Sequence, residues 1–144
     1  MNKVLVICPF PVGVAAGQRL KYEQYFDSWE ENGFQVTVSP FMDRRLWDIV
    51  YQKGYFFSKI LGTLRGYLRR CRDILRVGNF DTVYVFMWVT PLGSSFWERL
   101  FRFLSRRLIF DIEDNILQET GNSINPLVKL IKSRSKTTFL IKNA

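Results

Sequence analysis

The chain contains no histidine, and this absence restricts the chemistry that it can perform. Histidine is the commonest general base near neutral pH and the commonest metal ligand among side chains. Acid–base chemistry would therefore depend on carboxylates. The two cysteines, Cys8 and Cys71, are too few for a disulfide framework and do not have the spacing of metal ligands. We expect both to be buried thiols, and we expect neither a metal nor a bound cofactor.

Long apolar runs are also missing. No run approaches the roughly 20 residues of a membrane-spanning helix, and the N-terminus does not have the three segments of a cleavable signal peptide. We therefore expect a cytoplasmic protein. A chain of 144 residues that is 47% hydrophobic can bury a substantial core, so residues 1–144 are expected to form one domain.

Acidic residues are fewer than basic ones, 13 against 21, so the formal net charge is +8. Much of the positive excess lies in two segments, Arg65–Arg76 and Arg99–Arg107. A basic chain favours anionic partners such as phosphates, nucleic acid or acidic lipid, and charge alone does not choose among them. No base-reading motif accompanies the charge, so we expect no nucleic-acid partner.

Apolar, β-rich runs alternate with helical segments along the chain. Continuous apolar strands separated by helices are typical of a parallel sheet that is covered on both faces. We therefore predict an α/β fold, a Rossmann-like three-layer sandwich with a mostly parallel sheet of about five strands. The predicted strands are Lys3–Cys8, Phe34–Pro40, Thr82–Met87, Leu108–Ile112 and Thr137–Ile141.

Three helices can be assigned an inward face from their apolar periodicity. The first is predicted over Gly17–Asn32, with its aromatic side chains packed on the sheet. A second, within Asp43–Gly78, is expected to bury an apolar stripe and to leave its arginines in solvent. A third is predicted over Ser94–Arg106. The predicted inward residues of the second helix are Ile60, Leu61, Leu64, Tyr67, Leu68, Cys71, Ile74 and Leu75. Those of the third helix are Phe96, Leu100, Phe103 and Leu104.

A glycine-bearing loop follows the first strand and is a candidate anion site. Such a loop places the N–H groups of a helix N-terminus at the carboxyl end of a strand, where α/β proteins commonly bind phosphates. Gly13 and Gly17 supply the glycines, and Gln18 and Arg19 add polar and cationic groups. The spacing matches neither the dinucleotide fingerprint nor the NTPase phosphate loop, so an ordinary strand-to-helix turn is the alternative.

Acidic side chains follow the fourth predicted strand, at the same edge of the sheet. Asp111, Glu113 and Asp114 can bind a divalent cation, orient sugar hydroxyls or act as a base, or they can cap the following turn. We take Asp111 and Asp114 as the candidate catalytic residues. Trp88, which follows the third strand, can stack on a sugar or pack in the core.

Cations and aromatics are interleaved before and within the second helix. Such a segment suits the surface of an acidic membrane, with rings at the headgroup boundary and cations on the lipid. Core packing would require the same aromatics. The candidate membrane-surface residues are Arg44, Arg45, Trp47, Phe56 and Phe57.

Taken in order, the motifs of this chain resemble those of the N-terminal domain of bacterial glycosyltransferases of the GT-B type, the family 4-like or group 1 enzymes. The resemblance covers nearly the whole chain and depends on the order and spacing of its motifs. They are Pro9-Phe10-Pro11 with Gly13, Gly17-Gln18-Arg19, Glu23-Gln24-Tyr25, Gly33–Pro40, Thr90–Gly93 with Glu98, and Leu108–Asp114.

The resemblance implies one half of a GT-B fold, truncated before a C-terminal domain that binds the donor. The complete enzyme would transfer a sugar from a nucleoside diphosphate sugar, its co-substrate, to a glycan or lipid-linked acceptor of the cell envelope. This half alone would be inactive, and it would lie peripherally at the inner face of the membrane. The alternative is a basic membrane-surface or anion-binding module without catalytic activity.

The resemblance also implies roles for single residues. Gly13 and Gly17 would approach the donor diphosphate, and Gln18 and Arg19 would contact donor phosphate or acceptor. Asp111 and Asp114 match the acidic run of the family. Trp88 and Glu113 are candidate sugar or acceptor contacts from their positions at the same edge of the sheet, not from the resemblance. The cleft histidine of many relatives is absent here, which leaves the catalytic base unassigned.

Overall fold

The structure is a computed structural model that describes residues 2–111, 139 and 141–143. Four parallel strands form its sheet, in the order β2-β1-β3-β4. Helices flank both faces of this sheet, so the predicted α/β, Rossmann-like three-layer architecture is confirmed. The strands are β1 (Asn2–Cys8), β2 (Phe34–Pro40), β3 (Thr82–Phe86) and β4 (Leu108–Asp111).

The described sheet has one strand fewer than predicted. Phe139 and residues 141–143 are helical, so the predicted strand Thr137–Ile141 is wrong at the positions that the structure describes. An apolar run of five residues is too short for its periodicity to separate strand from helix. The Arg99 guanidinium lies 4.8 Å from the centre of the Phe139 ring, which places this run beside a helix rather than in the sheet.

Two helical layers cover the sheet, and alternate residues of β1 point into each of them. Val4 and Val6 face the layer of the first two helices, while Leu5 and Ile7 face the layer of the last two. Short 3-10 turns at Glu23–Tyr25 and Val77–Asn79 complete the layers. The helices are α1 (Ala16–Lys21), α2 (Phe26–Glu31), α3 (Arg44–Val50), α4 (Phe56–Arg76) and α5 (Phe96–Leu104).

The single helix predicted over Gly17–Asn32 is broken into α1, a 3-10 turn and α2. The break falls at Tyr22, whose φ of −142° leaves the helical region. The Tyr22 ring is fully buried and lies 5.4 Å, centre to centre, from each of the rings of Tyr84 and Phe86. Burial of this ring on the sheet therefore takes precedence over helix continuity. The predicted packing of the aromatic face is confirmed for Tyr22, Phe26 and Trp29 and is wrong for Tyr25, which is 48% exposed.

The predicted inward face of α4 is wrong. The helix buries Gly62, Gly66, Arg70 and Asp73, whereas most of its predicted apolar stripe, including Cys71, is exposed. The two glycines explain the orientation, because they let the helix backbone approach α3 and the segment after β2. A Cβ added at Gly62 would lie 2.9 Å from Leu46, and one at Gly66 would lie 2.6 Å from the Phe41 ring.

The predicted inward face of α5 is also wrong in part. Glu98 and Phe101 are buried, whereas three of the four predicted inward residues, Phe96, Phe103 and Leu104, are exposed. Phe101 and the half-buried Trp97 pack on the cluster formed with β1 and β3. The side of α5 that faces the sheet is thus set by residues adjacent to the predicted ones.

Candidate functional site

The strand order reverses between β1 and β3, which gives the sheet a topological switch point. The chain leaves β1 for β2 on one side and later enters β3 on the other side of β1. In open parallel sheets, ligands commonly bind in the crevice that such a reversal leaves at the carboxyl ends of the strands. Here the crevice is bordered by the loop after Cys8 and by the segment after Phe86.

The loop after β1 is held in shape by Gln18, which is fully buried. Its Oε1 accepts a hydrogen bond from the Phe10 N–H, and its Nε2 donates to the Phe10 carbonyl, both at 3.0 Å. Nε2 also donates to Oε1 of Glu23 at 3.1 Å. These bonds correct the predicted role of Gln18, because a side chain bonded within the loop positions the backbone and does not present its amide to a ligand.

Gly13 is bonded to the same carboxylate. Its φ of +82° lies in the left-handed region, which favours glycine, and its N–H donates to Oε2 of Glu23 at 2.9 Å. The negative charge of Glu23 disfavours a phosphate at this amide. The structure therefore gives Gly13 a role in shaping the loop, while its contact with a donor diphosphate stays a prediction.

Arg19 follows this loop in α1 and is exposed. It projects from α1, one turn from Ala15, whose carbonyl accepts the Arg19 N–H at 3.1 Å. A guanidinium offers a planar, permanently charged fork that suits phosphate. Gly17 lies half-buried in the first turn of the same helix. Of the four residues predicted to bind an anion, Arg19 is the one whose charge faces solvent.

The segment after β3 forms the other border of the crevice and contains a rare backbone conformation. Met87 has φ +62°, and its N–H donates to the Asp111 carbonyl at 3.0 Å. A non-glycine residue in this region costs on the order of 1 kcal/mol, and such residues cluster at functional sites. The neighbouring Trp88 is half-buried, with its ring centre 5.7 Å from that of Phe41 in an edge-to-face contact. The structure thus shows Trp88 in a packing contact, and its contact with a sugar stays a prediction.

Asp111 lies at the same carboxyl edge and is bonded through both oxygens. The Tyr84 hydroxyl donates to Oδ2, and the Lys21 ammonium lies 3.2 Å from Oδ1. Burial, together with the bond to Asp111, raises the pKa of Tyr84 above its usual range and keeps it a donor. The carboxylate therefore joins β3, β4 and α1. Two further candidates, Glu113 and Asp114, lie outside the described residues.

A buried arginine that the sequence analysis placed in solvent organises this edge. Arg70 is fully buried, and its guanidinium donates to three backbone carbonyls at the carboxyl edge of the sheet, two at strand ends and one in the segment after β3. Nη2 bonds the Cys8 carbonyl at 3.0 Å, Nη1 bonds the Ser39 carbonyl at 3.0 Å, and Nε bonds the Val89 carbonyl at 2.7 Å. One side chain of α4 thereby joins the carboxyl ends of β1 and β2 to the segment after β3.

The charge of Arg70 is balanced by Asp73, which is also fully buried. Oδ2 of Asp73 lies 3.1 Å from Nη1 of Arg70, and Oδ1 accepts from Arg76 at 2.8 Å. Burial lowers the pKa of Arg70, and the neighbouring carboxylate opposes this change. The sequence contains a signal for this ion pairing, because Asp73 is the single acidic residue within α4 and lies three residues from both Arg70 and Arg76.

The predicted membrane-surface residues divide into two groups. Trp47 is half-buried, and its ring lies 5.0 Å from that of Phe10 in an edge-to-face contact. Its packing is therefore internal. The other four are exposed, namely Arg44, Arg45, Phe56 and Phe57.

Other features of the described chain lie away from the switch point. Two shallow cavities, of about 240 and 490 Å³, lie on α4 and beside α5. Within the residues that the structure describes, no three histidine, cysteine or carboxylate side chains are grouped to hold a metal ion. In the same part of the chain, no helix combines the length and the apolar character that crossing a bilayer requires.

Comparison of the sequence with protein-family models finds no match, and comparison with curated proteins finds no significant match. The function proposed below therefore depends on the residues and geometry of this chain and on the order of its motifs.

Proposed function

We propose that this chain is the acceptor-side half of a GT-B glycosyltransferase, which transfers a sugar from a nucleoside diphosphate sugar to a glycan or lipid-linked acceptor. Its support comes from the order of the sequence motifs together with the parallel sheet. The observation that carries it is the switch point between β1 and β3, bordered by a preformed loop and by the left-handed Met87. Ligands commonly enter open α/β sheets at such a point.

Arg19 is the residue that we assign to the anionic part of the donor. As the sugar leaves the diphosphate, negative charge develops on the leaving group and a positioned cation stabilises it. Arg19 is exposed on α1, the helix that follows the loop, and the ammonium of Lys21, two residues further along, pairs with Asp111 at the same edge of the sheet. In this proposal Gln18 and Glu23 act indirectly, since their hydrogen bonds fix the loop on which α1 begins.

The proposal is tested by titrating nucleoside diphosphate sugars into the product of the complete reading frame and following the heat of binding. Replacing Arg19 by Gln should weaken donor binding about tenfold, the effect of losing one charge-assisted hydrogen bond. Arg107→Gln is the matched control, because Arg107 is also exposed but precedes β4 at the opposite edge of the sheet. Absence of donor binding, or equal weakening by both substitutions, would contradict the proposal.

A donor-binding domain encoded by the same gene would give a second test. The proposal predicts that the reading frame continues past Ala144 into another α/β domain, and a stop codon at that point would count against it. An anion-binding module without catalytic activity is the alternative function. In that case inorganic phosphate and nucleoside diphosphates would compete for the Arg19 site, and no sugar would be transferred by the complete protein.

A further inference from the structure

The outer face of α4 carries an exposed apolar stripe. Its six residues follow a spacing of four, three, four, three and four, which keeps them on one side of the helix. The stripe extends over about 27 Å at 1.5 Å per residue. Its exposure is large at both ends, with Phe57 85% and Leu75 88% exposed. The stripe consists of Phe57, Leu61, Leu64, Leu68, Cys71 and Leu75.

The orientation of α4 is fixed by its inner face, so the stripe is not exposed through loose docking. Gly62 and Gly66 pack against Leu46 and Phe41, and the buried Arg70 bonds three carbonyls of the sheet layer. Rotating the helix to bury the leucines would break these bonds and expel two glycines from close contacts. An exposed apolar surface of this length on a fixed element marks an interaction site.

Arginines line one side of the stripe. Arg65, Arg69 and Arg72 surround a depression of about 240 Å³ together with Leu68 of the stripe. Arg69 is anchored at its rim, because its Nη1 donates to the Pro40 carbonyl at 2.6 Å. Within α4 the single acidic residue, Asp73, is fully buried, so the helix presents cations and apolar groups without an exposed carboxylate.

We propose that this face of α4 binds the surface of an anionic lipid bilayer, with the stripe in the acyl region and Arg65, Arg69 and Arg72 on headgroup phosphates. Apolar side chains beside a basic row are the two components of interfacial helix binding. Aromatic rings lie where a bilayer interface prefers them, since Tyr51, Tyr55 and Phe56 are exposed at the N-terminal end of the helix. The inference does not depend on the proposed glycosyltransferase function.

Charge and shape favour a lipid surface over two kinds of protein partner, a second copy of the chain and a helical protein. A second copy of the chain would bring the arginine rows of both α4 helices close together, and like charges at such a contact are destabilising. A helical protein partner commonly binds in a groove between elements. All four residues that line the depression come from α4 alone, so the surface has no second wall. A deformable anionic surface matches such a convex face.

Co-sedimentation with vesicles tests the proposal. The 144-residue chain should bind vesicles of phosphatidylcholine with about 30% phosphatidylglycerol and should not bind vesicles of phosphatidylcholine alone, because basic side chains are attracted to an anionic surface. Replacing Leu64 and Leu68 by Gln should lower the bound fraction about tenfold or more, given the transfer free energy of two leucines. Leu20→Gln is the matched control, because Leu20 is 69% exposed, as Leu68 is at 68%, but lies in α1 on the opposite layer.

The charge arm of the test compares Arg65→Gln/Arg72→Gln with Arg107→Gln/Lys142→Gln. Each pair removes two exposed cations, and the second pair lies outside α4. The first pair should weaken binding more than the second and should reduce its dependence on salt. Free phosphate at the depression is distinguished from lipid by competition, because millimolar inorganic phosphate should displace a free-ion ligand and should not release the protein from vesicles.

Cys71 provides a direct reporter of insertion. It lies in the stripe and is exposed, whereas Cys8 is fully buried, so a thiol-reactive fluorophore should label Cys71 alone. The label should shift to the blue on anionic vesicles and should be quenched by brominated lipid. Slow labelling of the lipid-free protein would mean that protein already covers the stripe. That result would contradict the proposal. A concentration-dependent dimer that Leu64→Gln/Leu68→Gln abolishes would also contradict it, and so would vesicle binding that is unchanged in this variant.

Discussion

At the scale of single residues, Arg70 is the side chain whose environment departs most from expectation. A guanidinium is almost always exposed, so a basic helix is read as having a solvated basic face. Removing the charge from water costs several kcal/mol, and the cost is offset only when the donors are satisfied and the charge is paired. Three strand-end carbonyls and Asp73 meet both conditions here. The sequence pattern shows the Arg70–Asp73 pair but not the carbonyls, which are assembled only by the fold.

Replacing Arg70 by Met should destabilise the protein by about 3–5 kcal/mol, because it removes the guanidinium bonds of three buried carbonyls and one of the two cations paired with the buried Asp73. Urea denaturation followed by circular dichroism measures the change. Arg72→Met on the exposed side of the same helix serves as the control and should change the free energy of unfolding by less than about 0.5 kcal/mol. Equal effects of the two substitutions would contradict the assigned role of Arg70.

At the scale of secondary-structure elements, strands were predicted better than helix orientation. The predicted β2, Phe34–Pro40, is identical to the observed one, and β1 and β3 differ from their predicted bounds by one residue. A strand buried on both faces is apolar throughout, so no choice of face is needed. A helix has two faces, and periodicity identifies the more apolar one without showing which faces the sheet. In α4, the helix backbone approaches Leu46 and Phe41 closely at Gly62 and Gly66. This contact decides which face packs inward, so the leucine face is turned outward.

Gly66→Ala tests whether close approach controls the orientation of α4. Alanine is favoured over glycine within a helix by about 1 kcal/mol, so an unconstrained site would be stabilised. Here the new Cβ would lie 2.6–2.8 Å from three atoms of the Phe41 ring, and we expect a net destabilisation of about 1–3 kcal/mol. Gly78→Ala is the control, since nothing lies within 4 Å of its added Cβ. Thermal melts should show recovery when Phe41→Leu is combined with Gly66→Ala, and a stabilised Gly66→Ala would refute this explanation.

At the scale of the whole molecule, the sequence allowed the layers and the location of the candidate site to be predicted, but not its hydrogen bonding. Parallel strands place the Gly13 loop and Asp111 at one edge of the sheet, as their positions after β1 and at the end of β4 require. The hydrogen bonds of Gln18 to Phe10 and of Glu23 to Gly13 cannot be predicted from sequence periodicity, because they depend on how the loop closes. Arg19, on the helix that follows the closed loop, stays exposed, and its contact with a ligand stays a prediction.

The layer between the sheet and the first two helices also sets the pH range in which the molecule is stable. Burial raises the pKa of the Cys8 thiol from its ordinary value of 9.0 to about 11, and burial likewise raises the pKa of Tyr22 and Tyr84 above their usual range. Each group keeps its proton in the folded state at a pH where the unfolded chain has lost it. The unfolded state then binds fewer protons, so stability falls as pH rises.

We therefore expect the free energy of unfolding to be nearly constant through neutral pH and to fall above about pH 9, with a loss due to Cys8 of about 2 kcal/mol by pH 10.5, since the loss is complete only above the folded pKa of about 11. Urea denaturation between pH 7.5 and 10.5 measures this fall. Cys8→Ala should make it shallower and move its onset toward the ordinary pKa of tyrosine, near 10. Cys71→Ala, which removes an exposed thiol, should leave the profile of the wild type unchanged. Parallel profiles for Cys8→Ala and the wild type would mean that the Cys8 thiol ionises in the folded protein as readily as in the unfolded chain, against the burial that the structure shows.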